Sequence, residues 1–133
     1  MDTRDKAIRI AEREGLCSVS SNTKWQELLP RLAEIPCKKR IKFIDSDEPT
    51  AWKRGMWQPH TNHIEASCGP EELKFVEWIE IRSVEKQKQG AMLPDKEIDH
   101  SDSIRQLLDA QGAVFKQTGE SFVIFGYTRP GRP

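Results

Sequence analysis

The chain has 133 residues, the length of one domain, and its 36% hydrophobic and 32% charged residues are typical of a folded protein. Its 21 basic and 21 acidic residues cancel, so no overall field draws the molecule to nucleic acid or to anionic lipid. No apolar run reaches the roughly 20 residues of a membrane-spanning helix, which excludes an integral membrane protein of that kind.

The first predicted element is a helix over Thr3–Glu14, whose opening threonine is a good cap and which Gly15 can end. Its apolar stripe is narrow, and we therefore expect this helix to lie on the surface of the core.

A second helix contains Trp25 and leucines at helical spacing. Thr23 with Gln26 can form a capping box, and Asn22 is the alternative cap. Pro30 lies inside the apolar pattern, where a proline removes a backbone donor and clashes with the preceding turn. We expect either a kink at this proline or two short helices.

After this helix, the spacing of the apolar residues changes from helical to alternating. Residues 40–45 and 63–67 are predicted as strands, and residues 73–84 form the longest predicted strand. Since both faces of that longest strand carry apolar residues, we expect it in the middle of a sheet. The sequence leaves residues 46–62 open between a hairpin and an irregular aromatic loop.

A polar stretch, residues 85–100, leads to a third helix that Ser101 can cap and Gly112 can end. A hairpin over residues 114–127 closes the pattern, and residues 128–133 are predicted as a flexible tail.

These elements predict an α+β fold, with a mainly antiparallel sheet of four to six strands and about three helices packed on it. One domain is predicted over residues 1–127.

Glu77 is the most informative residue of the pattern. It falls in the middle of the longest strand, on the same face as an apolar row, where a carboxylate needs a partner or a raised pKa. It either pairs with a lysine or arginine of an adjoining helix, is turned outward by a bulge, or acts as a general acid or base.

Residues 45–57 combine acidic and aromatic side chains, a combination typical of a protein interface with a charged rim and an aromatic anchor. We predict partner binding at Asp45, Asp47, Glu48, Trp52 and Trp57. The alternative is that the two tryptophans close the core.

A run of four basic residues precedes this segment: Lys38, Lys39, Arg40 and Lys42. Neighbouring clusters of opposite charge are typical of a solvated face, so binding of nucleic acid is not expected.

Zinc could be held by His60, His63 and Cys68, with Cys37 as a fourth ligand. However, residues three apart on one strand point to opposite faces. We therefore expect no metal and keep the set of two histidines and Cys68 as the alternative. No sequence motif for a cofactor occurs, and none is expected.

The odd number of cysteines, with no apolar stretch after the charged N-terminus, is typical of a reducing cytoplasm. Cys17 is expected in the core. Cys37 has two lysines beside it, which would lower the pKa of its thiol, but no histidine near it in sequence to act as a base.

Three pieces of the sequence carry a resemblance: Asn22-Thr23-Lys24-Trp25 at a helix start, Phe75-Val76-Glu77-Trp78-Ile79-Glu80-Ile81, and Gly126-Tyr127. They resemble a family of small bacterial cytoplasmic proteins known only as a domain of unknown function, over roughly residues 20–127. The resemblance implies a bacterial origin and a cytoplasmic location, and it carries no activity. Small bacterial proteins of this kind are often immunity partners of toxins, which is an association with the class.

We therefore expect a non-enzymatic module that binds a protein, and in its specific form an immunity protein that neutralises a bacterial toxin. The alternative is a small hydrolase or transferase that uses Glu77 as acid or base, with His60 or His63 assisting.

Overall fold

The computed structural model describes residues 3–53, 59–60, 63–66 and 69–129. Within these residues the fold is α+β, with antiparallel strands throughout, as predicted. The helices are α1 (Thr3–Glu14), α2 (Asn22–Ala33) and α3 (Ser101–Ala110). The strands are β1 (Cys17–Ser18), β2 (Lys39–Phe43), β3 (Pro59–His60), β4 (His63–Ala66), β5 (Gly69–Glu72), β6 (Val76–Arg82), β7 (Val84–Gln87), β8 (Lys96–Asp99), β9 (Phe115–Thr118), β10 (Ser121–Phe125) and β11 (Tyr127–Thr128).

The main sheet has four strands in the order β2-β6-β10-β9. The predicted longest strand, β6, lies inside this sheet between β2 and β10, because its apolar residues need cover on both faces. It begins three residues later than predicted, since Leu73–Phe75 forms a 3₁₀ turn. Smaller antiparallel pairings join β3-β4-β5, β7-β8 and β1-β11.

Helix α2 is a single helix with Pro30 inside it, so the prediction of two short helices is wrong. The predicted caps are wrong as well, because Ser21 is the N-cap and its Oγ accepts a hydrogen bond from the backbone N–H of Lys24 at 3.2 Å. Pro30 is exposed, so its ring lies on the side of the helix away from the core.

The polar stretch before α3 contains the β7-β8 hairpin, which was not predicted. Ser101 does not cap α3 with its own side chain. Instead the carboxylate of Asp99 accepts hydrogen bonds from the Ser101 backbone N–H at 2.9 Å and from its hydroxyl at 2.5 Å. The hydroxyl bond, followed by the backbone bond, lowers the pKa of Asp99 below its ordinary value.

The core lies between the inward face of the main sheet and the apolar faces of the helices. It is formed mainly by aliphatic and aromatic side chains, among them Trp25, Leu28, Leu32, Ile41, Ile79, Ile81, Ile104, Leu108, Phe122 and Ile124. Cys17 is exposed, so the prediction that it is a core residue is wrong, whereas Cys37 is buried.

The end of the described chain is held by short pairings. Thr128 pairs with Cys17 across β11 and β1, and Arg129 contacts Glu77. These contacts involve Thr128 and Arg129, the first two residues of the segment predicted as a tail. No helix among the described residues is long and apolar enough to cross a membrane.

Candidate functional site

Glu77 lies at a bulge in β6. Lys42 of β2 pairs with Trp78 and the next residue, Phe43, pairs with Val76, so that Glu77 has no pairing partner on β2. Glu77 is nevertheless covered at this bulge, since only 8% of its side chain is exposed.

Two cations hold the carboxylate of Glu77. Its Oε1 accepts hydrogen bonds from Lys42 Nζ at 2.8 Å and from Arg129 Nη2 at 3.2 Å. Arg129 also reaches Glu14 at the end of α1, with 3.8 Å between Nη1 and Oε2. The partners come from the neighbouring strand and from the chain end, and not from an adjoining helix as predicted.

Gly126 lies next to this ion-pair cluster, where several chain segments meet. A Cβ atom at Gly126 would lie 2.3 Å from the carbonyl oxygen of Val76 and 3.2 Å from the ring of Trp25, so only glycine fits. The Gly126 N–H donates to the Glu77 carbonyl at 2.7 Å. The neighbouring Tyr127 donates from its hydroxyl to the Lys74 carbonyl at 2.7 Å, and burial raises the pKa of that hydroxyl.

The acidic turn, defined here as residues 45–48, follows β2. Asp45, Asp47 and Glu48 are all exposed, and none has an ion pair to any residue that the structure describes. The preceding Ile44 is buried and donates from its backbone N–H to the carbonyl of Phe75 at 2.7 Å, which fixes the base of the turn.

After the acidic turn the chain runs back along the outer edge of β2. Thr50 donates to the carbonyl of Ile41 at 2.8 Å, and Lys53 and Lys39 exchange two backbone hydrogen bonds of 2.8 Å. This return segment, residues 49–53, covers the edge of the strand and carries Trp52 on its surface.

Trp52 is half-buried, and its ring contacts the guanidinium groups of Arg40 and Arg82, each 4.5 Å from the ring centroid. Arg40 is also paired with Glu80 at 2.8 Å. These contacts hold the indole in place at the surface. Trp57, the second predicted anchor, lies outside the described residues.

The run of basic residues is divided by the alternation of β2. Lys39 is 1% exposed and donates to the carbonyls of Ile35 and Cys37 at 2.7 and 2.9 Å. Arg40 and Lys42 face the other way and form ion pairs. Lys38 alone of the four is exposed, so the run does not form a continuous basic track of the kind that follows a phosphate backbone.

Of the predicted metal ligands, the structure describes the backbone of His60 and His63 but not their side chains. His60 and His63 pair across β3 and β4 in backbone register, and Cys68 lies outside the described residues. The described side chains contain no group of three or more residues suited to hold a metal ion.

Sequence reasoning missed a cavity of about 720 Å³. This charged cavity is lined by Pro36, Cys37, Lys38, Trp52, Arg82, Val84, Glu85, Lys86, Lys88, Asp95 and Glu120. One wall is the β7-β8 hairpin. Gly90 and Pro94 are turn signals that could have indicated this hairpin.

Among the residues that line the charged cavity, Glu85 is buried and both of its oxygens have partners. Oε1 lies 3.0 Å from His100 Nε2, and Oε2 accepts a hydrogen bond from Gln87 at 3.0 Å. Buried carboxylates need such partners, and these tie the hairpin to the start of α3.

A family model matches residues 7–131. The chain belongs to DUF6678, a family of unknown function. No curated protein and no solved structure matches. The predicted resemblance to an uncharacterised family is therefore confirmed, and the match extends beyond residues 20–127 at both ends. Within this DUF6678 chain, the resemblance residues Trp25, Glu77 and Gly126 meet at one place in the fold.

Proposed function

We propose that this DUF6678 protein is a non-enzymatic binding module whose acidic turn docks on a basic surface of another protein. The observation that carries the proposal is the set of exposed carboxylates Asp45, Asp47 and Glu48, without ion pairs to any described residue. Charges of this kind speed encounter with a partner of opposite charge and fix its orientation.

Trp52 supplies the second part of the interface. An aromatic side chain that is already held in position loses little conformational entropy when a partner covers it, and tryptophan is enriched among the residues that dominate binding energy. The ring is fixed by Arg40 and Arg82 and lies on the return segment directly after the acidic turn. Trp57 is proposed as a further contact.

The specific partner that we propose is a toxin or effector with a basic active surface, which makes this chain an immunity protein. A toxin that acts on nucleic acid needs such a surface to bind phosphates, and an acidic turn can occupy it. We place the pair in the bacterial cytoplasm. Among the described residues Cys17 is a free thiol, and free thiols are usual in a reducing compartment.

The contacts of Glu77 favour binding over the alternative of a hydrolase or transferase. A general acid or base must reach its substrate, whereas the Glu77 side chain is 8% exposed and Lys42 and Arg129 hold its carboxylate. Its ion pairs join β6 to β2 and to Arg129, and this structural role explains a buried carboxylate in the strand without a catalytic function.

Affinity capture from extracts of the native host tests the proposal. The bait is the wild-type chain, compared with a triple variant, Asp45→Lys with Asp47→Lys and Glu48→Lys. The matched control reverses three exposed carboxylates on helices: Glu12→Lys, Glu27→Lys and Asp109→Lys.

We expect a basic protein to be enriched by the wild type and by the control, and lost with the triple variant. When each bait is co-expressed with that protein, the wild type and the control should relieve its toxicity, and the triple variant should not. Equal enrichment by all three baits, or the absence of any enriched protein, would contradict the proposal.

A further inference from the structure

The charged cavity is a second site, separate from the acidic turn. Its volume of about 720 Å³ lies within the range of about 300–1,000 Å³ that is usual for small-molecule sites in proteins. Segments distant in sequence build it: the residues before β2, the return segment, the end of β6 and the β7-β8 hairpin. It is therefore a product of the tertiary fold.

Four cations line the charged cavity, and none has a carboxylate partner among the described side chains: Lys38, Arg82, Lys86 and Lys88. Arg82 is the best placed of these. Its guanidinium lies 4.5 Å from the centroid of Trp52, and its Nη1 donates to the Ser121 hydroxyl at 3.4 Å. An arginine fixed by an aromatic ring presents its remaining donors as a fork suited to a carboxylate or a phosphate.

Three carboxylates also line the charged cavity, but they do not balance these cations. Glu85 is buried and already engaged by His100 and Gln87. Asp95 and Glu120 are the two that remain exposed. The accessible charges are therefore four positive and two negative, an arrangement that attracts an anion.

We propose that the charged cavity binds a small organic anion that carries phosphate or carboxylate groups. Arg82 makes a two-donor contact with one such group, and the lysines of the rim neutralise the remaining charge. Trp52 orders Arg82 for this contact and forms part of the wall. This site shares Trp52 with the proposed docking surface, but its test uses small anions and needs no protein partner.

Titration of the ¹⁵N-labelled full chain, followed by NMR, tests the proposal with two probes, ATP for phosphate groups and citrate for carboxylate groups. We expect at least one probe to cause saturable shifts confined to the Trp52 indole and the amides of residues 37–38 and 82–88. The probe that saturates at the lower concentration identifies which anion the cavity prefers.

The variant Arg82→Gln with Lys86→Gln should weaken binding of that probe at least tenfold. The matched control, Lys6→Gln with Arg9→Gln, removes the same charge from exposed positions on α1 and should stay within twofold of the wild type. If the first variant does not fold, Lys86→Gln with Lys88→Gln replaces it, with the same tenfold weakening expected. No saturable shift with either probe, or equal weakening by the control, overturns the proposal.

Discussion

Glu77 shows how a polar side chain in an apolar strand is made compatible with the fold. Its partners Lys42 and Arg129 are 35 and 52 residues away in sequence. The alternating pattern of β6 predicts that Glu77 shares a face with apolar residues of its strand. A local pattern cannot identify ion-pair partners that are so distant in sequence. They become neighbours only once β2 has paired with β6 and the chain end has returned to β1.

Replacing Glu77 with alanine should destabilise the fold. Glu77→Ala leaves Lys42 and Arg129 partly buried without their carboxylate, at a cost of about 3 kcal/mol in the free energy of unfolding. Urea titration measures this loss. Asp102→Ala is the control, because Asp102 is 93% exposed in its pair with Arg105 and such surface pairs contribute less than about 1 kcal/mol. Equal losses in the two variants would show that the Glu77 pairs add nothing.

Gly126→Ala should be more damaging than a glycine replacement in open space. The added methyl group meets the Val76 carbonyl at 2.3 Å, and since backbone cannot move aside cheaply, we expect a loss of about 3 kcal/mol. Gly112→Ala is the comparison: Gly112 has φ +65°, and a Cβ atom added there would have nothing within 4 Å, so its cost is about 1 kcal/mol of backbone strain. A smaller loss for Gly126→Ala than for Gly112→Ala in urea titration would be incompatible with the close approach.

At the scale of elements, the sequence predicts the helices and strands whose apolar residues recur at a clear period or that end at a strong stop signal. α1 has the predicted bounds, and β6 is in the interior of the sheet as expected. The β7-β8 hairpin was missed because most of its residues are polar and exposed, so it lacks the apolar alternation that marks a half-buried strand. The charged cavity was missed with it, since the hairpin forms one of its walls.

The start of α3 should depend on the ionisation of Asp99. Its carboxylate accepts both bonds from Ser101, and its pKa in the folded protein lies below the ordinary value of 3.8. The stabilisation is therefore present above pH 3.8 and is lost as the pH falls through the lowered pKa. Asp99→Ala should lower the Tm at pH 7, and the difference from the wild type should shrink in more acidic solution.

Asp99→Asn is the control for this prediction, because asparagine keeps a capping oxygen without a titrating group. Its Tm at pH 7 should lie between those of the wild type and the alanine variant. A Tm difference between wild type and Asp99→Ala that stays constant from pH 7 to pH 2 would contradict the role of the carboxylate.

At the scale of the whole molecule, the 21 basic and 21 acidic residues give no net charge. The fold nevertheless places some of the opposite charges apart. The return segment pairs antiparallel to β2, so the acidic turn lies at the Phe43 end of that strand. The basic rim of the charged cavity begins at the other end, with Lys38. Totals taken from the sequence exclude an overall field, but they say nothing of charges that the fold separates along one strand.

This separation gives the molecule two surfaces of opposite sign, with Trp52 between them. The acidic side was visible in the sequence because its three carboxylates are close together in the chain. The basic side draws its residues from three separate segments, and only the tertiary fold brings them together.

The most direct test of the central claim is the affinity of the captured partner for the acidic-turn variant. Calorimetry at low salt should show that Asp45→Lys with Asp47→Lys and Glu48→Lys weakens binding at least a hundredfold, equivalent to about 2.7 kcal/mol. The helix control should bind as the wild type does, and wild-type affinity should fall as salt is raised. A triple variant that binds as tightly as the control would contradict the claim that the acidic turn is the docking surface.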